Sequence, residues 1–217
     1  MTDYTARRIM MVDTQVRPSD VTKFPIIDAM LSIPREAFVP DALREAAYIG
    51  ENLNLGGDRV MLEPRTLAKI LDALNVQPSD VGLDIACGLG YSTALLARLC
   101  DFVVAVEDDS TRAEEAQTLL SEHGVDNAAV MVGPLAEGSA KSGPYDVIVV
   151  QGGVAEVPAS LLDQLREGGR IACVFAEGAL GVVRIGYRID GLVNWRFCFN
   201  AGAPVLAGFE KQDVFAL

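Results

Sequence analysis

This chain is poor in the residues that most often carry metal or redox chemistry. It has one histidine, His123, and four cysteines (Cys87, Cys100, Cys173, Cys198) that form no CxxC pair, so the pattern argues against a zinc site and no metal is expected. Scattered thiols of this kind suit the reducing cytoplasm. Positive charge is also scarce: 18 Lys and Arg stand against 30 Asp and Glu, a formal charge of −12. Such a surface repels phosphate backbones, so no nucleic-acid partner is expected. No apolar run reaches the roughly 18 residues of a membrane span. The opening "MTDYTARRIMMVDTQVRPSD" has basic residues without the apolar stretch of a secretory signal. No membrane partner is expected either.

What is present reads as one folded unit. With 217 residues, half of them hydrophobic, the chain can bury a full core. Residues 1–60 read as a helical N-terminal region packed on the main domain. In "VTKFPIIDAMLSIP" the residues Phe24, Ile27, Met30 and Leu31 recur at helical spacing, and "IPREAFVPDALREAAY" adds two short helices punctuated by proline. "GENLNLGGDRVMLEP" reads as a loop that bends at Gly56-Gly57. Pro64 then opens a helix whose apolar face is Leu67, Ile70, Leu71 and Leu74.

Residues 61–217 read as an α/β domain, forming one compact unit with the N-terminal region. Short β-rich runs ("VGLDIA", "FVVAVE", "AAVMVG", "YDVIVV", "RIACVFA") alternate with helical stretches, among them "STRAEEAQTLLSEHG" and "PASLLDQLREGG". Continuously apolar runs such as "DVIVV" are those of parallel strands covered on both faces. The alternation predicts a doubly wound, mostly parallel sheet of Rossmann-like type. "GVVRIGYRID" and "NWRFCFNAG" predict an antiparallel C-terminal edge, with Trp195, Phe197 and Phe199 sharing one face. His123, followed by Gly124, reads as the last turn of a helix before a glycine cap.

Ligands of doubly wound sheets bind at the carboxyl ends of the strands, and the first strand–helix loop dominates. Here that loop is "DIACGLGYST". As a nucleotide fingerprint, Gly88-x-Gly90-x-x-Thr93 lacks its third glycine. Asp84 lies just before the turn, where a carboxylate repels the phosphates of a nucleotide. S-Adenosylmethionine carries an ammonium and a sulfonium instead, and a carboxylate attracts it. Glu107, ending the next strand, can accept hydrogen bonds from both ribose hydroxyls. Asp108 beside it adds to the negative field, while Asp109 or Ser110 suits a helix cap. Cys87 reads as a small packed side chain.

These residues resemble a known family. "LDIACGLGYSTALLA" is similar to the first motif of class I S-adenosylmethionine-dependent methyltransferases. "IIDAMLSIPREAFVPDALREAAY", "ENLNLG", "VMLEPRTLAKILDAL", "VEDD", "YDVIVVQGG" and "VPASLLDQLREGGRI" narrow the resemblance to the protein-L-isoaspartate O-methyltransferases, over about residues 20–176. The resemblance implies a Rossmann-like methyltransferase fold and S-adenosylmethionine as cofactor, with S-adenosylhomocysteine as product. It implies cofactor contacts from Asp84, Ala86, Cys87, Gly88, Gly90, Tyr91, Glu107, Asp108, Leu135 and Gln151. The implied partner is a protein or peptide acceptor bearing a carboxylate, as in repair of isoaspartyl damage.

Three positions depart from the family. Ala86 stands where its loop begins with glycine, a mild change by size alone. Pro134 and Leu135 replace the family's Gly-Asp-Gly acid, leaving the Leu135 backbone or Glu137 to face the adenine. Leu62 stands on the serine of Thr-Ile-Ser-x-Pro, so a hydroxyl near the acceptor is lost. Leu62 and Gln151 are the acceptor-side candidates; Arg59 and Arg65 flank them and read as solvated surface arginines, with binding of an acidic acceptor as the alternative. Two function classes follow: an isoaspartyl-type methyltransferase with weakened or altered acceptor use, or a cofactor-binding scaffold or sensor that has lost its acceptor. A nicotinamide dehydrogenase is disfavoured by Asp84 and the missing third glycine.

Overall fold

The computed structural model describes residues 3–57, 59–178 and 180–211. Asp3 accepts a hydrogen bond from the Ala6 amide at 3.0 Å and so caps α1 (Tyr4–Met11). A π-helical turn over Val12–Val16 follows, then α2 (Phe24–Ser32). The buried face of α2 is Ile26, Ile27, Ala29 and Met30, whereas Phe24 is 76% exposed. With Ile26 turned inward, a residue two positions earlier lies on the far side of the helix, which corrects the face expected from spacing. The two proline-punctuated segments are 3₁₀ turns, Arg35–Phe38 and Asp41–Ala46.

The stretch expected to be a loop is an antiparallel hairpin of β1 (Leu53–Gly56) and β2 (Arg59–Met61). Gly56 (φ 99°) and Gly57 (φ 58°) supply the left-handed backbone of its bend, and the Asn54 side chain accepts from the Gly56 amide at 2.8 Å. A boundary at residue 60 falls inside β2. Helix α3 (Pro64–Leu74) buries Leu67, Ile70, Leu71 and Leu74 and ends at Asn75 in the left-handed region.

The main sheet is built from β3 (Val81–Ile85), β4 (Phe102–Glu107), β5 (Ala128–Val132), β6 (Tyr145–Val154), β7 (Leu165–Phe175), β8 (Val182–Ile189) and β9 (Leu192–Phe199). The strand order is β5-β4-β3-β6-β7-β8-β9. The first five strands in this order are parallel; β8 and β9 are antiparallel additions. The chain winds outward from β3 to β5 and then returns across to β6. That reversal opens a crevice at the carboxyl ends of β3 and β6. Helices α4 (Tyr91–Ala97), α5 (Ser110–Glu122) and α6 (Ala159–Leu162) lie along the connections.

Alternation along the strands separates two cores. Val147 and Val149 pack with the N-terminal helices, α3 and α4, while Ile148 and Val150 pack with Leu161, Leu206 and Phe209 on the other face. The N-terminal region therefore shares a core with the sheet.

Two expectations fail locally. "LREGG" belongs to β7 rather than to a long helix, because Gly168 (φ 79°) and Gly169 interrupt any helix there. The aromatic residues of β9 do not share a face. Val183 lies opposite Phe199 and Arg184 opposite Phe197, so Cys198 is an extra residue that inverts the alternation. Trp195 packs edge-on to Phe175, Phe199 is buried in the other core, and Phe197 is 67% exposed. His123 follows α5, with its ring 5.2 Å from that of Phe38. No helix among the described residues is long and apolar enough to cross a membrane.

Candidate functional site

Asp84 is the penultimate residue of β3 and is fully buried, with three side chains bonded to it. Ser92 and Thr93, in the first turn of α4, each donate a hydroxyl to Oδ2 at 2.7 Å, and Gln151 donates its amide to Oδ1 at 2.9 Å. Burial pushes the carboxyl up to about 6; the hydroxyls and the amide pull it down, and nearby Glu107 raises it further. The folded value lies above the ordinary 3.8, so the folded state keeps this proton over a window where the unfolded state has lost it. Stability should therefore fall as pH rises from about 4 to about 6, by at most about 3 kcal/mol, and level off above. Urea midpoints across that range should show this slope in the wild type and not in Asp84→Asn. Equal slopes in both would place the titration elsewhere.

The loop after β3 turns through three left-handed residues: Ala86 (φ 64°), Gly88 (φ 59°) and Gly90 (φ 96°). Ala86 is thus not a mild replacement. An L-residue held there costs roughly 1–2 kcal/mol, a conformation kept in place by the 2.8 Å bond from the Ala86 amide to the Val106 carbonyl. Ala86→Gly should stabilise the protein by about 0.5–1 kcal/mol, raising Tm by roughly 2–3 °C. A lower Tm would mean that the buried methyl outweighs the strain. Cys87 is buried, and its thiol is pushed well up by burial, then by Asp84 and Glu107, so it is a packed side chain.

Glu107 closes the far wall. Its Oε2 accepts from the Gly88 amide at 3.0 Å, and its Oε1 accepts from Arg59 at 2.7 Å and Arg112 at 3.0 Å. The carboxyl is fully buried; burial raises it, and the two guanidiniums oppose that. Asp108, at the rim, also pairs with Arg59. Arg59 is therefore buried and committed to the two acids, which corrects both the reading as a solvated surface arginine and the alternative of an acceptor ligand. Arg65 is half-exposed, 3.4 Å from Glu63 and near the Phe199 ring.

Tyr91 is buried under the Arg35 guanidinium, 4.9 Å from its ring centroid, and beside Phe38. Arg35 is itself fully buried and donates to the Ala47 carbonyl at 2.6 Å and the Leu62 carbonyl at 2.8 Å. It fixes the backbone of the segment that departs most from the family. The Leu62 side chain is buried and lines a cavity of about 10 Å³ with Ala86, Cys87, Tyr91, Ser92 and Gln151. Gln151 sits inside β6, at the register break between Val149 and Gly153. The Leu135 side chain lies in the core and its carbonyl accepts from Gly138, so what this residue offers a ligand is backbone.

Asp84, Ala86, Cys87, Gly88, Gly90, Tyr91, Glu107, Asp108, Gln151 and Leu62 thus gather at one crevice, with Leu135 turned inward. Reading by sequence missed Ser92, Thr93, Arg35 and Arg112. Ser92 and Thr93 stand one turn into the helix after the loop, a spacing that brings their hydroxyls back over the strand end.

The family model of protein-L-isoaspartate(D-aspartate) O-methyltransferase (PCMT) matches residues 9–185. A protein-L-isoaspartate O-methyltransferase of Syntrophus aciditrophicus is 36% identical over 171 residues, which are 79% of this chain and 78% of that one. One of Methanoculleus marisnigri is 37% identical over 206 residues, 93% of this chain and 92% of that one. A solved structure of a candidate protein-L-isoaspartate O-methyltransferase from Plasmodium falciparum, in complex with S-adenosyl-L-homocysteine, matches with a TM-score of 0.78. It covers 95% of this chain and 99% of that one at 18% identity, a likeness of fold.

Proposed function

The chain belongs to the protein-L-isoaspartate(D-aspartate) O-methyltransferase family, and we propose that it transfers the methyl group of S-adenosylmethionine to the carboxylate of isoaspartyl residues in proteins or peptides. The observation that carries this is the pair of buried acids, Asp84 and Glu107, flanking a left-handed glycine loop at the switch point of the sheet. A cationic cofactor without phosphate suits that pair. Gly88 and Gly90 supply the left-handed backbone of the loop, and Glu107 offers a carboxylate where a ribose would lie. The cofactor relatives use is represented by the S-adenosylhomocysteine held by the Plasmodium protein.

When bound, S-adenosylmethionine supplies an activated methyl on sulfur. The chain's own task is to hold the acceptor oxygen in line with it and to exclude water. A carboxylate is already ionised at neutral pH, so no general base is required, and neither Cys87 nor His123 is needed as one. Gln151, anchored on Asp84, and Leu62 line the cavity on the acceptor side. Family membership and the shared fold favour the enzyme over a scaffold. We place the reaction in the cytoplasm, in keeping with four cysteines that are all free thiols.

Transfer of a labelled methyl group to an isoaspartyl peptide, with its aspartyl isomer as control, tests the reading. Slow methylation of the isoaspartyl peptide alone is expected. Binding of S-adenosylhomocysteine with methylation of neither peptide would leave a cofactor protein without this acceptor.

A further inference from the structure

Hairpin β1–β2 lies against the cofactor loop, close enough that a Cβ added to Gly88 would meet Leu55 Cδ1 at 3.2 Å. From this hairpin Arg59 reaches Glu107, the carboxylate assigned above to the ribose, and bonds the same Oε1 that Arg112 takes. Its Nη1 is buried with no hydrogen-bond partner. Glu107 thus has four donors on it, the fourth being the Asp109 amide at 3.5 Å, and the cavity beneath the hairpin is only about 10 Å³. Small-molecule sites hold roughly 300–1,000 Å³. An outer crevice of about 300 Å³ runs past Pro40, Asp109 and Arg112. Leu55 and Leu89 line both spaces and so form the wall between them.

We propose that Arg59 sets the affinity for the cofactor by competing with its ribose hydroxyls for Glu107, latching the hairpin shut over the loop. Entry then requires Arg59 to leave Glu107 and Leu55 to lift, which joins the inner cavity to the outer crevice. The proposal rests on the assignment of Glu107 to the ribose. It accounts for two features together: a ribose-binding acid already occupied by donors, and an inner cavity of only about 10 Å³ at a site that must admit a nucleoside. Arg112, attached to α5, remains to hold Glu107 ionised once Arg59 has left.

The test is calorimetric titration of S-adenosylhomocysteine into the wild type and Arg59→Gln. Removing a charged competitor for one hydrogen-bonding oxygen should tighten binding by about tenfold. Because Arg59 is also part of a buried ion cluster, Leu55→Ala provides a variant that leaves the charges in place. Stopped-flow association of S-adenosylhomocysteine with Leu55→Ala should be several-fold faster than with the wild type. Unchanged or weaker binding in a folded Arg59→Gln, or an unchanged association rate in Leu55→Ala, overturns the latch while leaving the cofactor assignment standing. No binding to the wild type or to either variant overturns that assignment and the latch with it.

Discussion

Leu62→Ser is expected to raise methyl transfer to an isoaspartyl peptide by roughly tenfold to a hundredfold while making the protein less stable. The gain follows from hydrogen bonding. An acceptor carboxylate enclosed beside Leu62 meets an apolar side chain and loses water without compensation. A serine hydroxyl would return one hydrogen bond to a charged group, worth about 1.5–3 kcal/mol, and each 1.36 kcal/mol is a factor of ten in rate. Leucine is also larger than serine, so the substitution enlarges a cavity of about 10 Å³ on the acceptor side. The loss follows from packing: Leu62 is 1% exposed within the core shared by the N-terminal helices and the sheet. Truncating such a residue costs about 2–5 kcal/mol, and a Tm lower by roughly 5–15 °C is expected. Arg35 bonds the Leu62 carbonyl and not its side chain, so the backbone should stay in place. Initial rates measured well below the variant's Tm decide the matter. Ordinary turnover by the wild type with no gain from serine would show that the acceptor does not approach this position.

Glu107→Ala should damage both stability and cofactor binding. The substitution strands Arg59 and Arg112 and frees the Gly88 amide, all of which the one carboxylate satisfies. Removing one partner of a buried ion pair costs about 3–5 kcal/mol, because the remaining charge stays buried. Tm should fall by roughly 6–20 °C. The ribose loses its charge-assisted acceptor, so affinity for S-adenosylhomocysteine should drop about tenfold or more. If Arg59 competes for that carboxylate, the drop should be larger in an Arg59→Gln background, where the wild-type acid is already released. Thermal melts and titrations of the single and double variants separate these effects. An unchanged Tm in Glu107→Ala would mean that the ion cluster contributes nothing to the fold.

Local pattern was enough for much of this protein. The apolar face of α3, the alternation of strands and helices, and the antiparallel C-terminal pair are written in periodicity, because burial of one face imposes it. The order of an acid, a glycine loop and a second acid was equally readable, since both acids sit at strand ends whatever the strands pair with. Tertiary structure decided the rest. Arg59 lies far from Glu107 in sequence, and only the fold of β1–β2 over the loop brings them to 2.7 Å; no spacing rule could pair them. The hairpin itself is too short to show a strand signature, and it exists because Leu53 and Met61 find the core. Ala86 looked conservative by volume, but its left-handed φ is a property of the turn. Phe199 alternates with Trp195 and Phe197 in sequence, yet one bulged residue, Cys198, turns it into the opposite core. In each case the deciding interaction joins residues that the chain itself keeps apart, or a backbone angle that side-chain pattern does not encode.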